Sequence, residues 1–301
     1  MAINKEVESR LRQFKRNAKV TIWRTTTPTP GGVFDPEKTG TNGIVIEDMR
    51  IEFEIERNLT KNPNTCDVTI TNLSEASRAE FSRKPLLINL EAGYDGINRL
   101  MFVGDLHYAA SEQKGTDWST LLQMGDGDRI HHSAKVSKSY NGTVTAKQVL
   151  RDICKSFGQD LPANVEVATD LDVRLEGGTI SFGRVRDELT SILAPYGYSW
   201  SFQNCKVQIL KDTEANRNGV FVISEETGMI GTPEFGSTPR SGKPPHMTVN
   251  MFLFPEILPG SRVKVISKAL ADGNIFKVIS TKHRGDTHAG DWFTTLEIKP
   301  L

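Results

Sequence analysis

Two hexapeptides lying 174 positions apart share the pattern D-W-x-T-x-L: Asp117-Trp118-Ser119-Thr120-Leu121-Leu122 and Asp291-Trp292-Phe293-Thr294-Thr295-Leu296. In an extended chain, alternate side chains point to opposite faces, so Trp, Thr and Leu at a spacing of two share one face. Each hexapeptide follows an apolar run ending at a histidine, Phe102–His107 in the first case and Phe276–His283 in the second. The pattern predicts the closing strands of two similar β-barrels, one towards each end of the chain. A duplication of this kind says more about assembly than about chemistry.

The rest of the chain divides around that repeat. Residues 1–19 read as a basic arm (Lys5, Arg10, Arg12, Lys15, Arg16 and Lys19) with Val7, Leu11 and Phe14 as a narrow apolar stripe at helical spacing. That stripe suits a docking arm or a frayed surface helix. Residues 20–139 read as the first barrel, with strands at Val20–Arg24, Ile44–Glu56, Cys66–Ile70, Leu86–Ala92 and Leu100–Ala109. A phase slip between Ile46 and Met49 predicts a bulge or bend, Ser74 caps a short helix, and Thr26–Gly43 reads as a loop rich in Gly and Pro.

Residues 140–218 read differently, as a small α+β module. Thr145 caps a helix carrying Val149, Leu150, Ile153, Cys154 and Phe157, and a second helix carries Val185, Leu189, Ile192 and Leu193. Strand-like runs lie at Val173–Leu175, Tyr198–Phe202 and Val207–Leu210. The module's own apolar stripes suggest that it is separable from the barrels. Residues 219–301 return to strands, at Met247–Phe254, Arg262–Ser267, Asn274–Lys282 and Trp292–Ile298, after a Gly/Pro/Ser-rich loop over 231–245. The fold class expected is mainly β within α+β: two barrels with an inserted module.

Charge and cysteine content narrow the function classes. Lys plus Arg equals Asp plus Glu, so the formal net charge is zero. Broad nucleic-acid binding normally needs a basic surface to replace counterions, so no sequence-specific nucleic-acid recognition is expected. Zero charge is also low for a protein kept monomeric by self-repulsion. Cys66, Cys154 and Cys205 are odd in number and form no C-x-x-C, which suggests neither a disulfide framework nor zinc. No apolar run reaches the length of a membrane span, and the polar first residues do not read as a secretory signal.

Candidate chemical constellations are weak. His131 and His132 follow Gly125-Asp126-Gly127-Asp128, but the spacing lacks the alternating acids and closing Glu of a calcium loop, so a polar turn is expected. His283, Asp286 and His288 gather around Arg284-Gly285-Asp286-Thr287, read as a turn with no fourth ligand nearby. Glu225 and Glu226 are adjacent, and neighbours in a strand face opposite ways, so they do not form a glycosidase pair. No catalytic, cofactor-binding or metal residue is expected.

Three stretches then resemble the central hub proteins of tailed-phage baseplates and tail tips, a family related to the hub domains of VgrG-type spikes. They are Ile51–Arg57 with Pro63-Asn64 and Val68–Ser74; Gly183–Leu193 with Gly197–Ser201 and Val207–Leu210; and Phe254–Val265 with Phe276–Val278 and His283–Thr287. The resemblance covers roughly residues 44 to 299, and its specificity lies in the order of the pieces. It implies two tail-tube-like barrels with smaller domains attached, a virion location in the tail baseplate after assembly in the host cytoplasm, and no shared active site. It also implies a homotrimer contacting the tail tube protein, the spike protein and other baseplate components. A six-fold tube meets a three-fold spike, and a trimer with two similar barrels per chain presents six. The competing readings are a tail-associated peptidoglycan hydrolase and a receptor-binding module. The second would favour exposed aromatics, whereas Trp118, Trp200 and Trp292 read as core.

Overall fold

In a computed structural model, residues 15–24, 43–82, 86–176, 179–216, 219–236, 246–268, 270 and 275–301 are described. The first half runs β1 (Arg16–Arg24), β2 (Ile44–Ile46), β3 (Ile51–Asn58), β4 (Thr65–Thr71), α1 (Glu75–Glu80), β5 (Leu86–Tyr94), β6 (Ile97–Lys114) and β7 (Asp117–Gly125). A mixed region follows: α2 (Asp128–Ser133), β8 (Lys135–Tyr140), β9 (Val144–Thr145), α3 (Ala146–Ser156), α4 (Ala163–Glu166), β10 (Arg174–Leu175), β11 (Thr179–Arg184), α5 (Val185–Leu193), β12 (Tyr198–Gln203) and β13 (Lys206–Lys211). The last part is β14 (Val220–Ile223), β15 (Met229–Phe235), β16 (Met247–Phe252), β17 (Arg262–Val265), β18 (Ile275–Asp286) and β19 (Trp292–Pro300).

The fold is mainly β, dominated by one large and mostly antiparallel sheet ordered β15-β16-β19-β18-β3-β4-β7-β6-β5-β1-β2, with β17 against the first part of β18 and β14 beside β17. Within that order a four-strand unit occurs twice, as β15-β16-β19-β18 and as β3-β4-β7-β6. The two copies agree in detail. Hairpin β6–β7 skips His107 between Leu106↔Met124 and Tyr108↔Gln123, while hairpin β18–β19 skips Ile279 between Val278↔Ile298 and Ser280↔Glu297. Both bulges therefore lie opposite the residues five and six places after the Trp of the repeat. A bulge bends and twists a strand, and the same bend recurs in each copy.

Side chains repeat as well. Thr120, Leu122, Thr294 and Leu296 are all fully buried. The buried threonines take matching partners across the hairpin: Ser111 Oγ lies 3.0 Å from Thr120 Oγ1, and His283 Nδ1 lies 2.9 Å from Thr294 Oγ1. The Trp carbonyls accept from the strand alongside, Trp118 from Asn72 N–H at 2.7 Å and Trp292 from Leu253 N–H at 3.3 Å.

Three apolar cores underlie this surface. The first is built on Ile51, Phe53, Ile55, Val68, Ile70, Ile88, Leu90 and Leu122, the second on α3, α5 and the β12–β13 hairpin, and the third on Val249, Val263, Val278, Leu296 and Ile298. Ile130 and Val136, which the sequence places in the first barrel, pack instead in the second core.

Several expectations are corrected. β1 begins at Arg16, so Arg16 and Lys19 lie in a strand rather than in the arm, and the remaining arm, with most of the 26–43 loop, falls outside the described residues. The phase slip at Ile46–Met49 is the bend expected there, between β2 and β3 at Asp48, whose φ is +59°. The stretch read as loop from 231 is strand as far as Phe235. The polar turn expected after β7 is present at Asp126-Gly127, and His131 and His132 follow it in the short helix α2. Glu225 and Glu226 sit in a 3-10 turn rather than a strand, capped by Ser224.

Trp118 is the instructive miss. It is half-buried, joins none of the three cores, and lies under the Arg78 guanidinium, 3.9 Å from the ring centroid. Trp292, by contrast, is buried in the core of the other half, edge-on to Phe53 at 5.5 Å and to Tyr94 at 6.3 Å. Trp292→Ala should therefore cost about 3–5 kcal/mol of folding stability, and Trp118→Ala about 1 kcal/mol or less. Urea unfolding of the unassembled chain measures both, and equal losses would contradict the asymmetry.

Candidate assembly interface

The two four-strand copies meet where β18, from Ser280 to Asp286, pairs antiparallel with β3, from Asn58 back to Glu52. On the core side of this joint Ile55 faces His283 and Phe53 faces Gly285. Only glycine fits at 285, because a Cβ there would stand 2.3 Å from Phe53 Cζ and 2.9 Å from Trp292 Cε3. The Arg284-Gly285-Asp286 tripeptide is thus a strand segment, and its glycine admits two aromatic rings. The turn read there from sequence is wrong in place: the chain turns only after Asp286.

The opposite face of the joint is an ion ladder. Arg284 Nε lies 3.1 Å from Glu54, Lys282 Nζ lies 2.5 Å from both Glu54 and Glu56, and Arg50 lies 2.8 Å from Asp286. The hydrogen bond from Lys282 holds the Glu54 carboxyl below its ordinary range. For Asp286 burial pulls upward, but the Arg50 hydrogen bond and the N–H groups of His288 and Ala289 outweigh it, and the net shift is down. The partly exposed pairs contribute a few tenths of a kcal/mol each, so they set register while the apolar side supplies stability.

Both outer ends of the eight-strand run are open among the described residues. The half of β6 beyond its bulge, Tyr108–Lys114, pairs only with β7, and β15 pairs only with β16. Backbone N–H and C=O groups along such edges are templates for another strand. Tyr108, Ile230 and Phe235 are exposed there at 48%, 42% and 58%. An open groove borders the β6 edge, walled by Glu75, Arg78 and Ala79 of the α1 region and by Tyr108–Ser111.

The β12–β13 hairpin ties the helical module to both halves. Its tip, Asn204-Cys205, has φ of +54° and +59°, and both backbone N–H groups point at the buried Asp126 carboxylate, at 2.9 and 2.5 Å. Two successive left-handed residues aim their amides into one concavity, which suits an anion. Asn64 Nδ2 adds a third donor at 3.2 Å, Gln203 Nε2 reaches Asn58 O at 2.9 Å, and the buried Arg57 donates to Asn204 Oδ1 at 2.6 Å and to Met101 O. Burial pushes the Asp126 carboxyl up, while the Arg57 charge and these donors pull it back. At the hairpin's other end the buried Lys277 donates to Lys211 O at 2.8 Å and Asp212 O at 3.3 Å, and burial lowers its pKa to about 8. The sequence suggested a separable module, but its removal would strip partners from Asp126, Arg57 and Lys277.

The residues weighed for chemistry do not converge. His131 is buried against Trp200 and Phe202, and burial, then Arg186 and His132, lower its pKa. His283 is fully buried, while His288 is exposed and bonded to Thr287. Among the described residues no group of three or more His, Cys, Asp and Glu could hold a metal ion. Burial raises the thiol pKa values of Cys66, Cys154 and Cys205, which makes all three poor nucleophiles. No described helix is long and apolar enough to cross a membrane.

No protein-family model matches the chain, and no curated protein matches its sequence. Solved structures do match in fold. The 43 kDa tail protein of prophage MuSo2 from Shewanella oneidensis superposes with TM-score 0.57 at 10% identity, over 93% of this chain and 96% of that one. The Escherichia coli c3393 protein, a type VI secretion component similar in structure to the T4 tail proteins gp27 and gp5, gives 0.56 at 12% identity, over 84% and 73%. A Francisella PdpA–VgrG complex gives 0.61 at 10% identity, over 95% of this chain and 58% of that one. The chain shares the fold of these tail and spike proteins.

Two outcomes test the joint and the clamp. Asp126→Ala leaves two buried N–H groups without their acceptor and the Arg57 charge without its counter-charge, so stability should fall by about 3–5 kcal/mol, and Asp126→Asn should recover part of it in urea unfolding. His283, bonded to Thr294 with its pKa lowered by burial to about 3, is neutral in the fold but takes up a proton near its ordinary value when unfolded. A depressed folded pKa gives stability that is present above about pH 6.5 and is lost as pH falls towards 3, by up to about 1.4 kcal/mol per pH unit. His283→Gln should flatten that slope, and an unchanged slope would show that His283 is not its source.

Proposed function

We propose that this chain is the central hub of a phage-type tail tip or baseplate, a homotrimeric ring that joins a six-fold tail tube to a three-fold spike. The observation that carries the reading is the duplicated four-strand unit, with its matching bulges and its in-chain joint between β18 and β3. One chain supplies two equivalent units and one helical module. Three chains then present six units to a tube on one side while keeping three-fold symmetry elsewhere. The fold shared with tail and spike proteins supports the tail setting.

The face of the sheet away from the cores also suits a ring. Glu52, Glu54, Glu56, Asp67, Gln123, Lys282, Arg284, Thr295 and Glu297 lie on it, all at alternate positions to the buried residues. A polar face of this sort lines a water-filled channel without dewetting it. Zero net charge lowers the repulsion between like subunits.

Counting copies tests the reading. Quantitative mass spectrometry of purified particles, scaled to the tube protein, should return three copies of this chain per tail. Six copies, or a number growing with tail length, would make it a tube component and overturn the hub assignment.

A further inference from the structure

We propose that the free half of β6, Tyr108–Lys114, pairs antiparallel with β15 of a second copy of this chain, placing Ser111 opposite Phe235 and Glu112 opposite Glu234. This deepens the hub reading by assigning the edges through which copies join.

The register comes from the repeat itself. Ser111 and His283 face the equivalent threonines Thr120 and Thr294, so Ser111 corresponds to His283 and Glu112 to Arg284. On the other side of the unit, Val68 and Val249 face the equivalent leucines Leu122 and Leu296, which equates Cys66 with Met247 and Asp67 with Thr248. Their partners follow: Ile55 corresponds to Phe235, and Glu54 to Glu234. Within the chain His283 lies opposite Ile55, and Arg284 opposite Glu54. Transferring these pairs to the unfilled edges gives the proposed register without adjustable choices.

Three observations place a second copy on these edges. First, the edge residues whose equivalents are covered within the chain are bare: Phe235 is 58% exposed, whereas its counterpart Ile55 is fully buried. Second, Trp118 is the unfilled counterpart of Trp292. Trp292 reaches across the in-chain joint into the neighbouring unit's core, while Trp118 stops half-buried beneath Arg78. Third, the groove beside Tyr108–Ser111 is open along the edge that β15 would occupy.

The two joints differ in ways that predict behaviour. β15 is interrupted between Ile230 and Glu234, at Gly231 with φ +71°, which splits its ladder and weakens it relative to the unbroken β3. Where the in-chain joint sets Arg284 against Glu54, the joint between copies sets Glu112 against Glu234, with Lys114 2.5 Å from Glu112. Like charges directly opposite oppose pairing. The in-chain joint is therefore permanent, and the joint between copies is the weaker one, which forms on assembly.

The test is a disulfide between Ser111→Cys and Phe235→Cys in one chain, the native cysteines all being buried. Oxidation of the assembled double variant should link most chains into a closed trimer on a non-reducing gel, while an equal mixture of the two single variants should stop at dimers. A parallel variant, Glu112→Arg, restores the in-chain charge pair and should tighten association several-fold by sedimentation. Three-copy assemblies that do not cross-link, together with an Arg variant that does not tighten, would overturn the edge assignment and leave the hub reading standing. Cross-linked chains that grow without limit would keep the edges and overturn the trimeric hub.

Discussion

Pairing of β18 with β3 turns two four-strand units into one sheet, and most of the described structure is arranged around that joint. It spans Ser280 to Asp286, carries the Phe53–Trp292 contact on one face and the Glu54–Arg284–Lys282 ladder on the other, and requires glycine at 285. Side chains on a strand pair alternate between the faces, so a slip of one residue would turn Glu54 into the core and Phe53 into solvent. Burial of Trp292 and His283 makes such a slip costly. The relation between the halves is therefore a property of register, not of a hinge.

The helical module reinforces that relation from the core side. Its β12–β13 hairpin is clasped at the tip by Asp126 and at the open end by Lys277, one group from each half. Buried charges are tolerated only when paired or bonded, and here Asp126 is bonded by the backbone of the two-residue turn and Lys277 by backbone carbonyls at the end of β13. The module is thus a strut, present once per chain, while the sheet units are present twice. That mismatch of two to one is what the proposed adapter between symmetries requires.

Legibility in the sequence followed the range of the interactions. The D-W-x-T-x-L echo was readable because Trp118, Thr120 and Leu122 obey a local period of two, and the amphipathic stripes of α3 and α5 were readable for the same reason. What Trp292 packs against was not, since its partners Phe53 and Tyr94 lie some two hundred residues away in the chain. Strands β8 and β11 escaped notice because Ser137, Lys138 and Ser139 carry little strand signal, and Ile180 and Phe182 face solvent at 73% and 74%. Arg284-Gly285-Asp286 imitated a turn because Gly and Asp favour turns, whereas here glycine answers a tertiary contact. The Asn204-Cys205 turn lacked the usual glycine, and its left-handed backbone is held by the distant Asp126.

Symmetry within one assembled ring tests this account most directly. Electron cryomicroscopy of the purified assembly should show six-fold order in the sheet layer, with alternate joints formed within and between chains, and three-fold order in the layer of modules spanning residues 130–211. A module layer with six equal densities, or a sheet layer in which the two units of a chain do not superpose by rotation about the axis, would contradict it.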